Sequence, residues 1–199
     1  MNYLSVMFPT ERHWQSLNKT PPSPKAVILG YAMLISLVPA VCGYIGATSV
    51  GWSVGSGPTV YMTQSSAFFI ALGTYVSAVA SIFLLSAAMD WMAPTYGAEQ
   101  NLGRSAGLIA TVLTPVYLVG IAGLYPVVWL ISCLFLAALA YSAYLFYSGT
   151  AKVFGIEVER AFVFASAVLA FGLVLFAGVL VVSVTAWSFG FEPVFTSGL

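Results

Sequence analysis

Charge is what this sequence has least of. Its 199 residues include six Lys or Arg and six Asp or Glu, so 6% are charged against 60% hydrophobic. Soluble domains carry roughly 25% charged residues, because a water-facing surface needs them. So few charges cannot clothe a body of this size in water, and its surface must face lipid. The formal net charge is zero, which removes the basic face that nucleic-acid binding requires. Two cysteines, Cys42 and Cys133, lie inside apolar runs, and the single histidine, His13, has no Cys or His at ligand spacing. A structural zinc site therefore has no ligand set, and no cofactor is expected. Catalytic signatures are missing too: there is no HExxH, no GxSxG and no phosphate-cradling loop. Serines and threonines in the apolar runs lack a His, Lys or carboxylate to activate them. None of the charges falls deep in a run, where an ionisable group would mark function. These absences argue against an enzyme and weaken a proton- or ion-coupled transporter.

What is present is five apolar stretches, at 26–50, 66–89, 105–122, 126–147 and 161–187. Lipid cannot satisfy backbone polar groups, so only helices and closed barrels cross it. Barrel strands alternate polar and apolar over about 10 residues, whereas uninterrupted runs of about 20 are helical. The expected fold is all-α, a polytopic membrane protein built as a bundle of five transmembrane helices. The first run is too long for a cleaved signal segment. Arg12, Lys19 and Lys25 precede span one, Arg104 lies between spans two and three, and Lys152 and Arg160 between four and five. All six fall on one side, so the N-terminus is expected in the cytoplasm and the C-terminus outside. The chain divides into a cytoplasmic segment (1–25), a five-span domain (26–188) and an external tail (189–199). Within the first segment, Thr10 is placed to N-cap a short helix over 11–18. Trp14 and Leu17 would share its apolar face, laid on the inner membrane surface.

Residues 114–129 read TPVYLVGIAGLYPVVW. As one helix, 104–148 would be about 68 Å long, over twice the ~30 Å hydrocarbon core. A hairpin is expected instead, turning near Gly123-Leu124-Tyr125, with Pro126 in the first turn of span four. Pro115 then falls mid-span and kinks span three, where Thr111 and Thr114 can return hydrogen bonds to freed carbonyls. Pro39 lies at similar depth in span one, and LVPAVCGYIG (37–46) faintly echoes LTPVYLVGIAG (113–123). Paired interrupted spans are one sign of a transport site. Pro39, Thr111, Thr114, Pro115 and Tyr117 are therefore candidate lining for a cavity, the alternative being ordinary kinks that shape a bundle. Small residues at four-residue spacing allow close helix approach in lipid: Gly73, Ser77 and Ser81 in span two, Gly103 and Gly107 entering span three, and Ala32, Ser36 and Ala40 in span one. These stripes fit packing within the bundle or a seam between copies. Trp52, Trp91, Trp129 and Trp187 lie at span ends, as interfacial aromatics do. The loop GWSVGSGPTVYMTQ folds back on the bundle or is simply flexible; its composition allows both.

LTPVYLVGIAGLYPVVWL, followed by AYSAYLFYSGTAKVFGIEVERAFVFA, resembles the Yip domain family of Ypt/Rab-interacting five-span membrane proteins. VPAVCGYIGATSVGWSVGSG and LYPVVWL are similar to its bacterial inner-membrane branch, the YohC-like proteins, and PTERHWQSLNKTPPSP suits the Pro-led approach to span one. The resemblance implies five spans, a cytoplasmic N-terminus and a multi-pass protein of the bacterial inner membrane. It lends no catalytic residues. Eukaryotic relatives bind small GTPases, but this chain lacks their long acidic N-terminal region and Asp-Leu-Tyr-Gly-Pro motif, so small-GTPase binding is doubtful. Two functions are left: a non-enzymatic scaffold or accessory subunit in membrane organisation or trafficking-type partner binding, or a passive channel or carrier for a small neutral solute or lipid. The expected partners are membrane lipids and either a second copy of the chain or a larger membrane complex.

Overall fold

A short amphipathic helix precedes five long apolar ones in the computed structural model, which describes residues 9–53 and 57–197. Helix α1 (Glu11–Lys19) carries His13, Trp14 and Leu17 on one buried face. Thr10 starts it with its backbone rather than its side chain: the Thr10 carbonyl accepts from the amides of His13 and Trp14.

Among the described residues, five helices are long and apolar enough to cross a membrane. The first, α2 (Ala26–Val50), is wound as a π-helix over Ala26–Ala32 and Gly46–Val50 and as an α-helix over Met33–Ile45. Next come α3 (Gln64–Met92), tightening to a 3-10 turn over Ala93–Tyr96, and α4 (Leu102–Val119), ending in a 3-10 turn over Gly120–Leu124. Then follow α5 (Val128–Phe154) and α6 (Val158–Ala186), the last closed by a π turn over Trp187–Phe191. The five-helix architecture read from hydropathy is the observed one.

Most spans outlast the apolar runs that announced them. Hydropathy marks the part of a helix that lipid touches, whereas the helix continues until the backbone breaks. The breaks after α3 and α5 come at Gly97 (φ 77) and Gly155 (φ 65), in the left-handed region that ends helices at low cost. At the start of α4 the Asn101 side chain caps the helix, accepting the Arg104 amide at 3.0 Å. The turn between α4 and α5 is where it was expected, but Pro126 is not in the first turn of α5. Val127 is the N-cap, and the chain turns through Tyr125–Ala122 and Val127–Tyr125 backbone bonds.

Helix α4 is the axis of the bundle. Buried residues make up 44% of its most apolar stretch, against 6% for α3 and α6, so α4 is packed round by protein while α3 and α6 face lipid. It contacts α2, α3 and α5, and α6 packs on α5 and α3.

One expectation about the ends needs correction. Helix α1 does not turn its apolar face to lipid. Trp14 and Leu17 are each 3% exposed and are pressed against Gly149 of α5 and Gly107 of α4. Asn18 donates to the Lys152 carbonyl, Arg104 Nη2 donates to the Asn18 carbonyl, and Lys152 pairs with Glu11. The glycines leave space that these side chains fill, so protein covers the face better than lipid would. The described part of the 189–199 tail is held by a strand. Strand β2 (Phe195–Ser197) pairs antiparallel with β1 (Val60–Met62), Val60 opposite Ser197 and Met62 opposite Phe195. Trp52 bridges to Val60 and lies edge-on to Phe195 at 5.6 Å, so the first loop does fold back. The start of the N-terminal segment (1–8), the middle of that loop (54–56) and the last two tail residues lie outside the described residues.

Candidate functional site

Helix α4 collects most of the candidate polar residues on one face. Thr111, Thr114 and Tyr117 follow at three-residue spacing and are 0%, 3% and 8% exposed. Each uses its hydroxyl inside the bundle. Thr111 Oγ1 donates to the Gly107 carbonyl at 2.8 Å and meets His13 Nε2 at 3.0 Å. Thr114 Oγ1 donates to the Ala110 carbonyl at 2.6 Å and meets the Tyr31 hydroxyl at 2.5 Å. Tyr117 donates to the Ala78 carbonyl of α3 at 2.8 Å. Each threonine has one proton, already given to a carbonyl one turn back, so in these contacts His13 and Tyr31 are the donors. Neither hydroxyl serves the Thr111 carbonyl that Pro115 frees, contrary to the expectation for these residues. A buried hydroxyl that is fully bonded offers nothing to a passing solute.

The two echoing runs meet each other. A side chain at Gly46 would overlap the Gly123 carbonyl, and a Cβ at Gly120 would stand 2.6 Å from Pro39 Cα. A Cβ at Gly123 would lie 3.2 Å from the Gly43 amide nitrogen. Thus Pro39, Gly43 and Gly46 of α2 cross Gly120 and Gly123 of α4 backbone to backbone. Pro115 is half-buried one turn before this crossing.

Pro39 also borders a cleft of about 110 Å³ between α2 and α3, with Ala40, Gly43, Tyr44, Ala71 and Thr74. Thr111, Thr114, Pro115 and Tyr117 do not line it, so the five candidates do not form one cavity. A wider cleft of about 620 Å³ opens at the end opposite the basic residues. Trp52, Tyr125 and Trp129 stand among its walls, and none of its lining residues is charged.

The small-residue stripes divide. Gly73 is exposed with open space around it, while Ser77 and Ser81 are half-buried, Ser81 donating to the Ser77 carbonyl at 2.7 Å. This stripe makes no close helix crossing within the chain at Gly73. Gly103 and Gly107 do permit close approach, but of Pro22 and Leu17 from the N-terminal segment rather than of another span. Ala32, Ser36 and Ala40 are buried.

His13 is the residue that sequence reading missed. Read as lacking a metal-ligand companion, it is 6% exposed and joins α1 to α4 through Thr111. Burial lowers its pKa from 6.5. The available signal was its place beside Trp14 on the apolar face of a short amphipathic helix. His13 and Thr111 bring an imidazole to a hydroxyl, but the imidazole is the donor and the threonine is sealed from solvent. Among the described residues no three His, Cys, Asp or Glu side chains could hold a metal ion.

Comparison with known sequences decides the family. The profile of the Yip1 domain matches residues 4–179. The chain belongs to the Yip1 domain family. It is 28% identical over 182 residues to the inner membrane protein YohC of Escherichia coli strain K12, covering 92% of this chain and 93% of the relative. The YohC protein of Escherichia coli O6:H1 strain CFT073 is equally similar over the same span. No solved structure matches the chain. With five apolar spans, this Yip1-family chain is a multi-pass inner-membrane protein.

Proposed function

We propose that the protein is a non-enzymatic scaffold of the inner membrane that acts by associating with a second copy or with a larger membrane complex. The observation that carries this reading is the closed interior of α4. Thr111, Thr114 and Tyr117 bond within the bundle, and Gly120 and Gly123 at its end meet the α2 backbone rather than a solute. Chemistry has no foothold there, and neither does a conduction path through Thr111, Thr114 and Tyr117. In contrast, the half of α6 away from the basic end offers its apolar circumference to its surroundings, with Phe176, Val181 and Val182 all exposed. The charge distribution supports a cytoplasmic N-terminus, which puts α1 on the cytoplasmic side. Small-GTPase binding gains no support from the family match alone, since the described residues carry no equivalent of the eukaryotic motif.

The test is photo-crosslinking in the membrane from Val76, Phe176 and Val182, three exposed positions on α3 and α6. A scaffold gives a protein adduct from at least one of them. Lipid adducts alone from all three would reject the proposal.

A further inference from the structure

We propose that the wide cleft at the end away from the basic residues holds the ammonium-bearing headgroup of a phospholipid. The cleft lies between the loop after α2 and the α4–α5 turn, and Val50, Gly51, Trp52, Tyr125, Val128 and Trp129 stand in its walls. Its volume of about 620 Å³ falls within the roughly 300–1,000 Å³ typical of small-ligand sites. Tyr125 and Trp129 are 69% and 70% exposed, and among the described residues neither packs on another ring. Trp52 adds a third ring, held edge-on to Phe195. Aromatic faces carry partial negative charge and attract ammonium groups.

Helix ends give the cleft the same preference of sign. Helix α2 finishes at Val50, on the wall. The next two amides, of Gly51 and Trp52, go to the Gly46 and Val60 carbonyls, so among the described residues the Val50 carbonyl receives no backbone amide. A helix C-terminus carries about half an elementary negative charge. The 3-10 turn that closes α4 ends at the same cleft, with Tyr125 as its C-cap. A lysine or arginine would answer these two negative ends, but none lines the cleft, and all six lie at the opposite end of the bundle. The cation therefore comes from outside the chain. Helix α5 starts on the wall at Val128 without a side-chain cap. Its positive end suits the phosphate that every phospholipid carries, so it does not discriminate among them; the ammonium does. A lipid is favoured over a soluble amine because exposed Trp and Tyr at a span end mark the depth of the headgroups.

The experiment titrates the full chain in a gentle detergent with phospholipids of identical acyl chains, and native mass spectrometry follows the bound lipid. The probes are phosphatidylethanolamine, its N-acetyl derivative, which has lost the cation, and phosphatidylglycerol. Trp129→Leu keeps an apolar wall and removes the ring. It is expected to bind phosphatidylethanolamine about two- to fivefold more weakly, with the other two lipids unchanged. Trp129→Phe, which retains a weaker aromatic face, should fall between the two. Trp91→Leu removes a ring that is 74% exposed and outside the cleft, and should leave all three lipids unaffected. Equal weakening for the three lipids would reduce the wall to an apolar contact and overturn the proposal. So would unchanged phosphatidylethanolamine binding in Trp129→Leu, or the same loss in Trp91→Leu. Soluble phosphoethanolamine binding as tightly as the lipid would replace the lipid with a soluble amine. A lower oligomeric mass in Trp129→Leu, with lipid binding retained, would give the wall to a contact between copies; either result contradicts the assignment. Should Trp129→Leu fail to fold, Tyr125→Leu is read against the same outcomes.

Discussion

Gly46, Gly120 and Gly123 set how near α2 and α4 can come, and their neighbours are backbone atoms that cannot swing aside. Adding a methyl group at Gly46 or Gly120 forces the helices apart, and overpacking of this kind costs about 1–3 kcal/mol or more. Gly73 has the same residue type and none of the contact. We expect Gly46→Ala and Gly120→Ala to lower the melting temperature in mild detergent clearly, and Gly73→Ala to leave it unchanged or raise it slightly. Equal behaviour of all three would remove the crossing from the account. The sequence made the glycines visible as interruptions in apolar runs, yet it could not say which ones meet a backbone. Spacing repeats in Gly73-Ser77-Ser81 and in Gly103-Gly107 alike, whereas contact depends on the three-dimensional direction each stripe takes. His13 was obscured for a related reason. A lone histidine is judged in sequence by its neighbours in the chain, and its true partner, Thr111, is 98 residues away.

At the scale of elements, length and hydropathy carried the reading a long way. Spans of 20 or more apolar residues leave lipid-crossing helices as the one structure that satisfies their backbone, and the five appear in order. The proline and glycine content of 114–129, together with the ~30 Å limit on a span, was enough to place the α4–α5 turn. Helix ends were harder, because the residues that end a helix are set by backbone geometry at Gly97 and Gly155 rather than by polarity. The β1–β2 ribbon was out of reach, since two three-residue strands near opposite ends of the spanning domain have no local signature. The ribbon matters because it ties the end of α6 to the start of α3, where α6 has little other cover. Tyr61 and Thr196 stand directly opposite, and opposed residues in an antiparallel pair are close enough for a disulfide. In a chain with Cys42→Ala and Cys133→Ala, Tyr61→Cys with Thr196→Cys is expected to cross-link on mild oxidation. Failure to cross-link, with either single variant folded, would mean that the tail is free.

The whole molecule is a bundle with every Lys and Arg at one end and Glu192 at the other. The basic end is tied by α1, its ion pair with Lys152 and the Arg104–Asn18 bond. At the other end, Trp129, Tyr125 and Trp187 are open to the membrane interface. The positive-inside rule gives this polarity a direction: an enzyme reporter active only outside the cytoplasm, fused after Leu199, should be active, and the same reporter at the N-terminus silent. The reverse pattern would invert the proposed placement of α1. Class and family were legible in the whole sequence because a shortage of charge and the order of apolar runs and their motifs can be read without any structure. Function was not, because the proposed scaffold role would rest on contacts with partners and not on a motif of reacting groups.

The central claim is that this closed bundle works by association. Native mass spectrometry after extraction in a gentle detergent tests it most directly. The account predicts a mass above that of one 21.1 kDa chain by a whole second copy or by a distinct protein. A species that is strictly one chain with lipid, across detergents that preserve known complexes, would contradict it.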